Sequence, residues 1–320
     1  MVTILTFIFM LAMGALILGF IAVSAMFLIW WERKVSAHIQ SRLGPMRVGW
    51  HGALQSVADV LKLLLKEDIR PAEVDILVWW LAPFFAVVPS VMAFVVIPFG
   101  GNLIIKDLNV GILYIASISS VCVIGIFMAG WGSNNKYSLL GGMRSAAQMI
   151  SYELPLILSL IMVAMRAGSL SMQRIVESQA GCWNILHPDM AVACIIYLIA
   201  ATAEVNRAPF DIPEAESELV AGFHTEYSGM KFAMFFLGEY TNLFIVAAIA
   251  ATLFFGGWHG PFLPPVVWFL IKTYGLIFVW MWVRWTFPRV RVDQLMEFAW
   301  KILTPAALVN LAIVGWILLK

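Results

Sequence analysis

Residues 1–34 read MVTILTFIFMLAMGALILGFIAVSAMFLIWWERK, and no charged side chain occurs before Glu32. A helix needs about 20 apolar residues to cross the roughly 30 Å hydrocarbon core of a bilayer. This run is longer than a signal-peptide core and has neither the basic start nor the small-residue cleavage pattern of one, so it reads as a retained first transmembrane helix. The rest of the chain has the same character: 62% of its 320 residues are hydrophobic, 12% are charged, and the mean hydropathy is +0.90. Soluble domains run at roughly 45–50% apolar and about 25% charged, so water is not the solvent for most of these residues. Besides residues 4–31, apolar stretches of spanning length recur at approximately 76–98, 110–131, 145–167, 189–204, 231–255, 265–287 and 302–319. The fold class is therefore an all-α, polytopic integral membrane protein with about eight transmembrane helices. Residues 1–320 form a single integral domain without an internal repeat, linker or low-complexity tract.

If the loops are assigned alternately to two sides, lysine and arginine settle the orientation. One side collects Arg33, Lys34, Arg42, Arg47, Lys62, Lys66 and Arg70, then Lys136 and Arg144, then Arg207 and Lys231, then Arg284, Arg289, Arg291 and Lys301. The other has Lys106, Arg166, Arg174 and Lys320. The asymmetry puts the basic loops on the cytoplasmic (or matrix) side and both termini on the outer side. Within the first loop, 32–75, residues 52–67 alternate faces at helical spacing: Gln55, Asp59, Lys62 and Lys66 form one stripe, Leu54, Val57, Leu61, Leu64 and Leu65 another. A segment so short and two-faced is expected to lie at the interface as an amphipathic helix. Its lysines would face headgroups or a docked subunit, while Leu54, Leu61 and Leu65 contact the membrane domain. Gly44-Pro45, Gly49 and Gly52 punctuate the irregular segment before it.

The second conspicuous loop, 205–230, is acidic. From Glu204 to Glu226 there are six carboxylates, the others being Asp211, Glu214, Glu216 and Glu218, against a single arginine, Arg207. If Pro213 starts a helix, Glu214 and Glu218 share a face, and crowding with partial burial raises carboxylate affinity for protons toward neutrality. A run of like charge is ordinarily a solvated loop. Here it is flanked by helices and adjoins two further acids, Glu153 and Glu239, placed well inside apolar spans. An ionised carboxylate in hydrocarbon costs several kcal/mol unless protonated, paired or hydrated, so each is a candidate for proton transfer, with a structural hydrogen bond as the plainer alternative. Pro155 can kink the helix beside Glu153 and admit water. Lys272, about seven residues inside its span, could snorkel outward.

The three cysteines, Cys122, Cys182 and Cys194, form no C-x-x-C, and the five histidines show no ligand spacing, so neither an iron–sulfur cluster nor zinc is indicated. There is no dinucleotide fingerprint, Walker A motif or nucleophile signature. Electrons would have to come from a cluster or flavin carried by a partner.

Two motifs carry a resemblance. One is Glu32-Arg33-Lys34, then Arg42-Leu43-Gly44-Pro45, Gly49 and the run Gly52 to Glu67; the other runs from Glu204 to Gly222 and continues through Glu226-Tyr227-Ser228-Gly229 and Gly238-Glu239-Tyr240. Over nearly its whole length the chain resembles the family of membrane subunits called H, or chain 1 in mitochondria, of NADH:quinone oxidoreductase, respiratory complex I. One departure is His224-Thr225, where the family more often has asparagine and an apolar residue, which bears on local hydrogen bonding. The resemblance implies a subunit at the junction of membrane and peripheral arms, without a catalytic residue, metal or cofactor of its own. Quinone would be the substrate, and FMN and iron–sulfur clusters would reside on partner subunits. Arg33, Lys34, Arg42 and Arg47, with Phe210 and Asp211, look like tunnel and docking residues. Asp211, Glu214, Glu216, Glu218 and Glu226 look like an acidic loop below the tunnel, continued by Glu153, Glu204 and Glu239 as a buried proton path. The implied partners are peripheral quinone-module and membrane-arm subunits, lipid and quinone, with no nucleic acid. The implied location is the bacterial inner membrane, or the mitochondrial one. A related membrane subunit of a membrane-bound hydrogenase is the alternative, and a stand-alone ion transporter is disfavoured by the lack of an inverted repeat.

Overall fold

The computed structural model describes residues 4–101, 103–212 and 220–319. Ten helices organise them: α1 (Ile4–Ile39), α2 (Gln55–Leu65), α3 (Ile76–Ala93), α4 (Gly111–Gly132), α5 (Lys136–Ala167), α6 (Met172–Ser178), α7 (Pro188–Glu204), α8 (Gly229–Phe254), α9 (Pro265–Thr286) and α10 (Val292–Leu318). No strand occurs among the described residues. Seven of these helices are long and apolar enough to cross a membrane. The fifth expected span, α7, has 17 residues, about 25 Å at 1.5 Å per residue, the lower limit for crossing.

Two helix boundaries differ from the hydropathy reading, for the same reason. Hydropathy ends where charge begins, whereas a helix ends where the backbone is broken. So α1 continues through Glu32, Arg33 and Lys34 to Ile39, and the first loop starts there. Likewise α5 begins at Lys136, where Asn135 caps it by accepting from the Tyr137 amide at 2.9 Å, and Arg144 lies inside the helix. At the other end of the chain, Pro305 has no N–H to give the carbonyl of Lys301, and α10 widens into a π turn at Phe298–Leu303. The Thr304 hydroxyl donates to the Ala299 carbonyl at 2.8 Å across that turn.

Helix α8 runs through the centre, and every residue from Leu243 to Phe254 is buried. Around it a large core joins α1, α5, α7, α9 and α10, and a smaller one joins α3, α4, α5 and the segment before α8. Lipid offers no hydrophobic drive between helices, so close approach at small residues has to supply the packing. Gly125 shows this: a Cβ there would lie 2.6 Å from the Ala86 nitrogen of α3. Backbone hydrogen bonds join segments that the alternate assignment puts on the same side. The Asp75 amide reaches the Gly132 carbonyl, and Val290 reaches Pro209, both at 3.1 Å on one face. Ile112 reaches Leu170 at 3.1 Å on the other.

The amphipathic segment forms as α2, shorter than expected, and its apolar stripe is left largely exposed. Leu54, Leu61 and Leu65 are 55%, 54% and 88% exposed, while Ser56 is buried and Asp59 turns toward α1. Asp59 accepts from Gln55 and pairs with Arg33, which turns that part of the polar stripe toward α1, while Lys62 and Lys66 stay exposed. The leucines are left for lipid or a partner.

Candidate functional site

The acidic loop is held in place by backbone contacts from buried amides. Gln148 of α5 donates to the carbonyls of Ala203 at 2.8 Å and Phe210 at 2.7 Å, and Asn206, with a positive φ of 52°, donates to Ser145 at 3.0 Å. The turn these bonds stabilise drives Arg207 inward. Its guanidinium is 4% exposed and donates to both carboxylate oxygens of Glu32, at 2.9 and 2.8 Å. On its other side it meets Glu239 of α8 at 2.9 Å and lies over the Tyr240 ring, 4.5 Å from its centre. The Tyr240 hydroxyl donates to Glu32 at 2.9 Å, and Arg284 at the end of α9 closes on the remaining side of Glu32. Burial by itself would lower the pKa of Arg207, but Glu239 and then Glu32 more than reverse this and hold it well above the usual arginine value.

This cluster has two acids and two bases, so its formal charge is balanced. Removing one member of such a buried set leaves an uncompensated charge and costs about 3–5 kcal/mol. Balance also means that adding or removing one proton disturbs all four groups. Nearby, Asp211 pairs with Arg289 at 3.1 Å.

From the cluster two small cavities lead inward. One, of about 40 Å³, is lined by Glu239, His224, Asn206, Asn242 and Glu204; the other, of about 50 Å³, by Glu204, Asn242, Ser119, Ser90 and Tyr197. Glu204 and Asn242 line both. A water needs roughly 10–15 Å³ of such volume and two to four polar partners, so each cavity has room for about three. Beyond Glu204, Ser119 lies in the second cavity, and its neighbour Ser120 donates to Glu153.

The structure thus brings together Glu204 and Glu239, with Glu153 one serine step further. Glu226 stands elsewhere, accepting from Asn135 at 2.5 Å at the start of α5. Glu214, Glu216 and Glu218 lie outside the described residues. Of the basic set, Arg33 pairs with Asp59 at 2.6 Å, Lys34 reaches the Met46 sulfur at 3.0 Å, Arg42 donates to Gln40 at 2.7 Å, and Arg47 is exposed. They belong to the surface around the first loop, outside the buried cluster. Phe210 contributes its carbonyl to Gln148 and its ring packs 5.7 Å from Tyr152. Residue patterns alone assign no role to Glu32, Arg207, Arg284 or Tyr240. The available signal is Glu32 itself, the first charge after a spanning run, which requires a partner once it remains in a helix.

A family model described as NADH dehydrogenase matches residues 12–315. The chain belongs to that family. The NADH-quinone oxidoreductase H 1 subunit of Geobacter metallireducens is 51% identical over 318 residues, which cover 97% of this chain and 96% of that one. The H subunit of the Dehalococcoides mccartyi enzyme is 54% identical over 301 residues, 94% of this chain and 84% of its own. The H subunit from Protochlamydia amoebophila is 51% identical over 302 residues, 92% of each. The resemblance carried by the two motifs is therefore a family relationship, and this member of the H-subunit family is a multi-pass membrane component of an NADH-quinone oxidoreductase. Within the family frame, the motif at Glu204–Asp211 builds the Arg207 turn, and the motif at Glu32 supplies what that arginine binds.

Proposed function

We propose that this chain lines much of the quinone tunnel and forms the proton input of a proton-translocating NADH-quinone oxidoreductase. The observation that carries this reading is the balanced Glu32–Arg207–Glu239–Arg284 cluster, opening onto a cavity lined by Glu239 and Glu204, with a second cavity lined by Glu204 beyond it. Electrons reach the quinone from clusters and a flavin on peripheral partners, which dock on the basic first loop at Arg33, Lys34, Arg42 and Arg47. Quinone reduction consumes protons beside Asp211 and the acidic segment. The resulting change of charge alters the competition between Glu32 and Glu239 for Arg207. A carboxylate released from its arginine takes up a proton, and one regaining it gives a proton up. Protons then pass through Glu239, Glu204 and Glu153 toward the neighbouring membrane-arm subunits, by waters in the two cavities. Glu214, Glu216, Glu218 and Glu226 supply the acidic surface from which that path is filled. The basic loops face the cytoplasm of a bacterial cell, and both termini face outward.

The test uses Glu239→Gln and Glu204→Gln in the assembled complex. Glutamine keeps the size and much of the hydrogen bonding but exchanges no proton. NADH oxidation by an artificial acceptor should persist, while quinone-linked turnover and pumping fall at least tenfold. Unchanged turnover and unchanged protons per electron in both variants would make the acids structural. Purification with a nickel–iron input module in place of a flavin one would overturn the NADH assignment.

A further inference from the structure

The short helix α2 is tied down at its middle and just past its end. Midway along it Asp59 pairs with Arg33 of α1, the residue after Glu32. At its exit Asp68 pairs with Lys231 of α8 at 2.7 Å. Lys231 is 7% exposed, and its ammonium sits between the rings of Trp79 and Trp80, 3.5 and 3.7 Å from their centres. Such walls hold a desolvated cation through the negative ring faces, in addition to the ion pair. The same crossing is reinforced by Ser228, whose hydroxyl accepts from the Ile69 amide at 3.0 Å and donates to the Glu67 carbonyl at 3.3 Å. Gly229, with φ of 56°, lets the start of α8 pass close beneath this segment: a Cβ there would lie 3.1 Å from the Lys66 carbonyl.

These ties close a ring. Glu239 lies eight residues, about 12 Å, along α8 from Lys231. Through Arg207 it returns to Glu32, one residue before Arg33. Meanwhile the apolar stripe of α2 is exposed beside the first loop, which gives a docked partner a face on which to push.

We propose that α2 is a lever clamped between the two helices that hold Glu32 and Glu239, and that Lys231 is a positioning residue that transmits its displacement to Glu239. This rests on the protonic reading of that cluster. Lys231 does not touch substrate. It sets the height and rotation of α8 relative to α2, and hence the distance from Glu239 to Arg207.

The experiment uses Lys231→Met, Lys231→Arg, Asp68→Asn, Asp59→Asn and the Asp59→Asn/Lys231→Met double variant in the assembled complex. Assembly and NADH oxidation by an artificial acceptor should stay within about twofold. In Lys231→Met, quinone-linked kcat should fall about three- to tenfold with quinone KM changed by less than about twofold. Lys231→Arg should regain at least half, since a guanidinium also stacks on tryptophan. The double variant should be no slower than Lys231→Met, because either substitution opens the same ring. A normal kcat in Lys231→Met, losses that multiply in the double variant, or an arginine variant no better than methionine would each overturn the lever. If Lys231→Met does not assemble, Asp68→Asn carries the test, and its normal kcat overturns the proposal. Glu239→Gln measured alongside separates the two ideas. An inert Glu239→Gln overturns the protonic reading, whereas a defective one beside a normal Lys231→Met overturns only the lever.

Discussion

Two cations are drawn into the bundle toward opposite ends of α8, and different chemistry holds them. Arg207, on the acidic-loop side, is held by carboxylates, Glu32 and Glu239. Lys272, on the other side, is held by backbone: its ammonium donates to the carbonyls of Phe255 at 2.7 Å, Gly257 at 2.9 Å and His259 at 2.7 Å, with the Trp183 ring 4.4 Å away. Gly256 and Gly257, with φ of 70° and 50°, turn the chain so that these carbonyls converge, and the C-terminus of α8 adds a favourable dipole. Gln179 braces the turn by accepting from the Gly256 amide at 3.0 Å. Lys272 therefore turns inward as a cap, where hydropathy suggests that it snorkels. The carbonyls that hold Lys272 cannot take up a proton, so its ligand set has one charge state. Carboxylates can, so the Arg207 site has several. Burying a charge is common to both, and the two sites differ in whether the ligands of the charge can titrate.

The sharpest way to break this contrast is Arg207→Met. It leaves Glu32 and Glu239 without their shared partner, at a cost of about 3–5 kcal/mol. The expected outcome is near-complete loss of quinone-linked turnover together with reduced yield of intact complex, read from native gels and NADH:quinone activity in the same membranes. Glu32→Gln comes next. It keeps the shape and the Tyr240 contact but unbalances the cluster by one charge, so quinone-linked turnover should drop about tenfold while the complex assembles. Retained turnover would show that the cluster is as static as the Lys272 cap.

For Lys272→Met the outcome should be of the opposite kind. Hydrogen bonds to a charged group contribute about 1.5–3 kcal/mol, so thermal unfolding of the complex should come earlier by an amount matching about 2–3 kcal/mol. Turnover per intact complex should be unchanged, and a turnover defect without instability would erase the distinction between cap and switch. The smallest effect concerns His224, which lines the cavity beside Glu239 and is ringed by Phe223, Phe232 and Phe236. Burial pushes its pKa down to about 4. The unfolded chain, with a histidine pKa near 6.5, therefore binds more protons below that pH, and stability is lost as pH falls from about 6.5 toward 4. The loss is about 2 kcal/mol at pH 5 and absent at neutral pH. Unfolding of His224→Asn should show a shallower acid limb, and an unchanged limb would mean that His224 gains no proton on unfolding.

Hydropathy alone specified the solvent and seven of the eight expected spans, because an apolar run of spanning length has one stable placement; α7, at 17 residues, is shorter than the other seven. Long uninterrupted motifs were enough to place the chain in its family. The acids at Glu153, Glu204 and Glu239 were also legible, since a charge inside an apolar run stands out in any one-dimensional reading. Their partners were not. Glu32 and Arg207 are 175 residues apart, and Glu32 and Arg284 are 252 apart. Which cation meets which acid depends on the turn at Asn206, on the helix continuing past Trp31, and on α1, α8 and α9 converging at one depth. The orientation of α2 was decided the same way. Its two stripes are plain in the sequence, but the Arg33–Asp59 pair determines that Asp59 faces α1 while Lys62, Lys66 and the leucines stay exposed, and a pair between separate helices exists only once both are packed. Sequence settles what each segment must bury or expose; tertiary structure decides which charges are buried together, and that pairing determines whether a charge is a fixed cap or a switch.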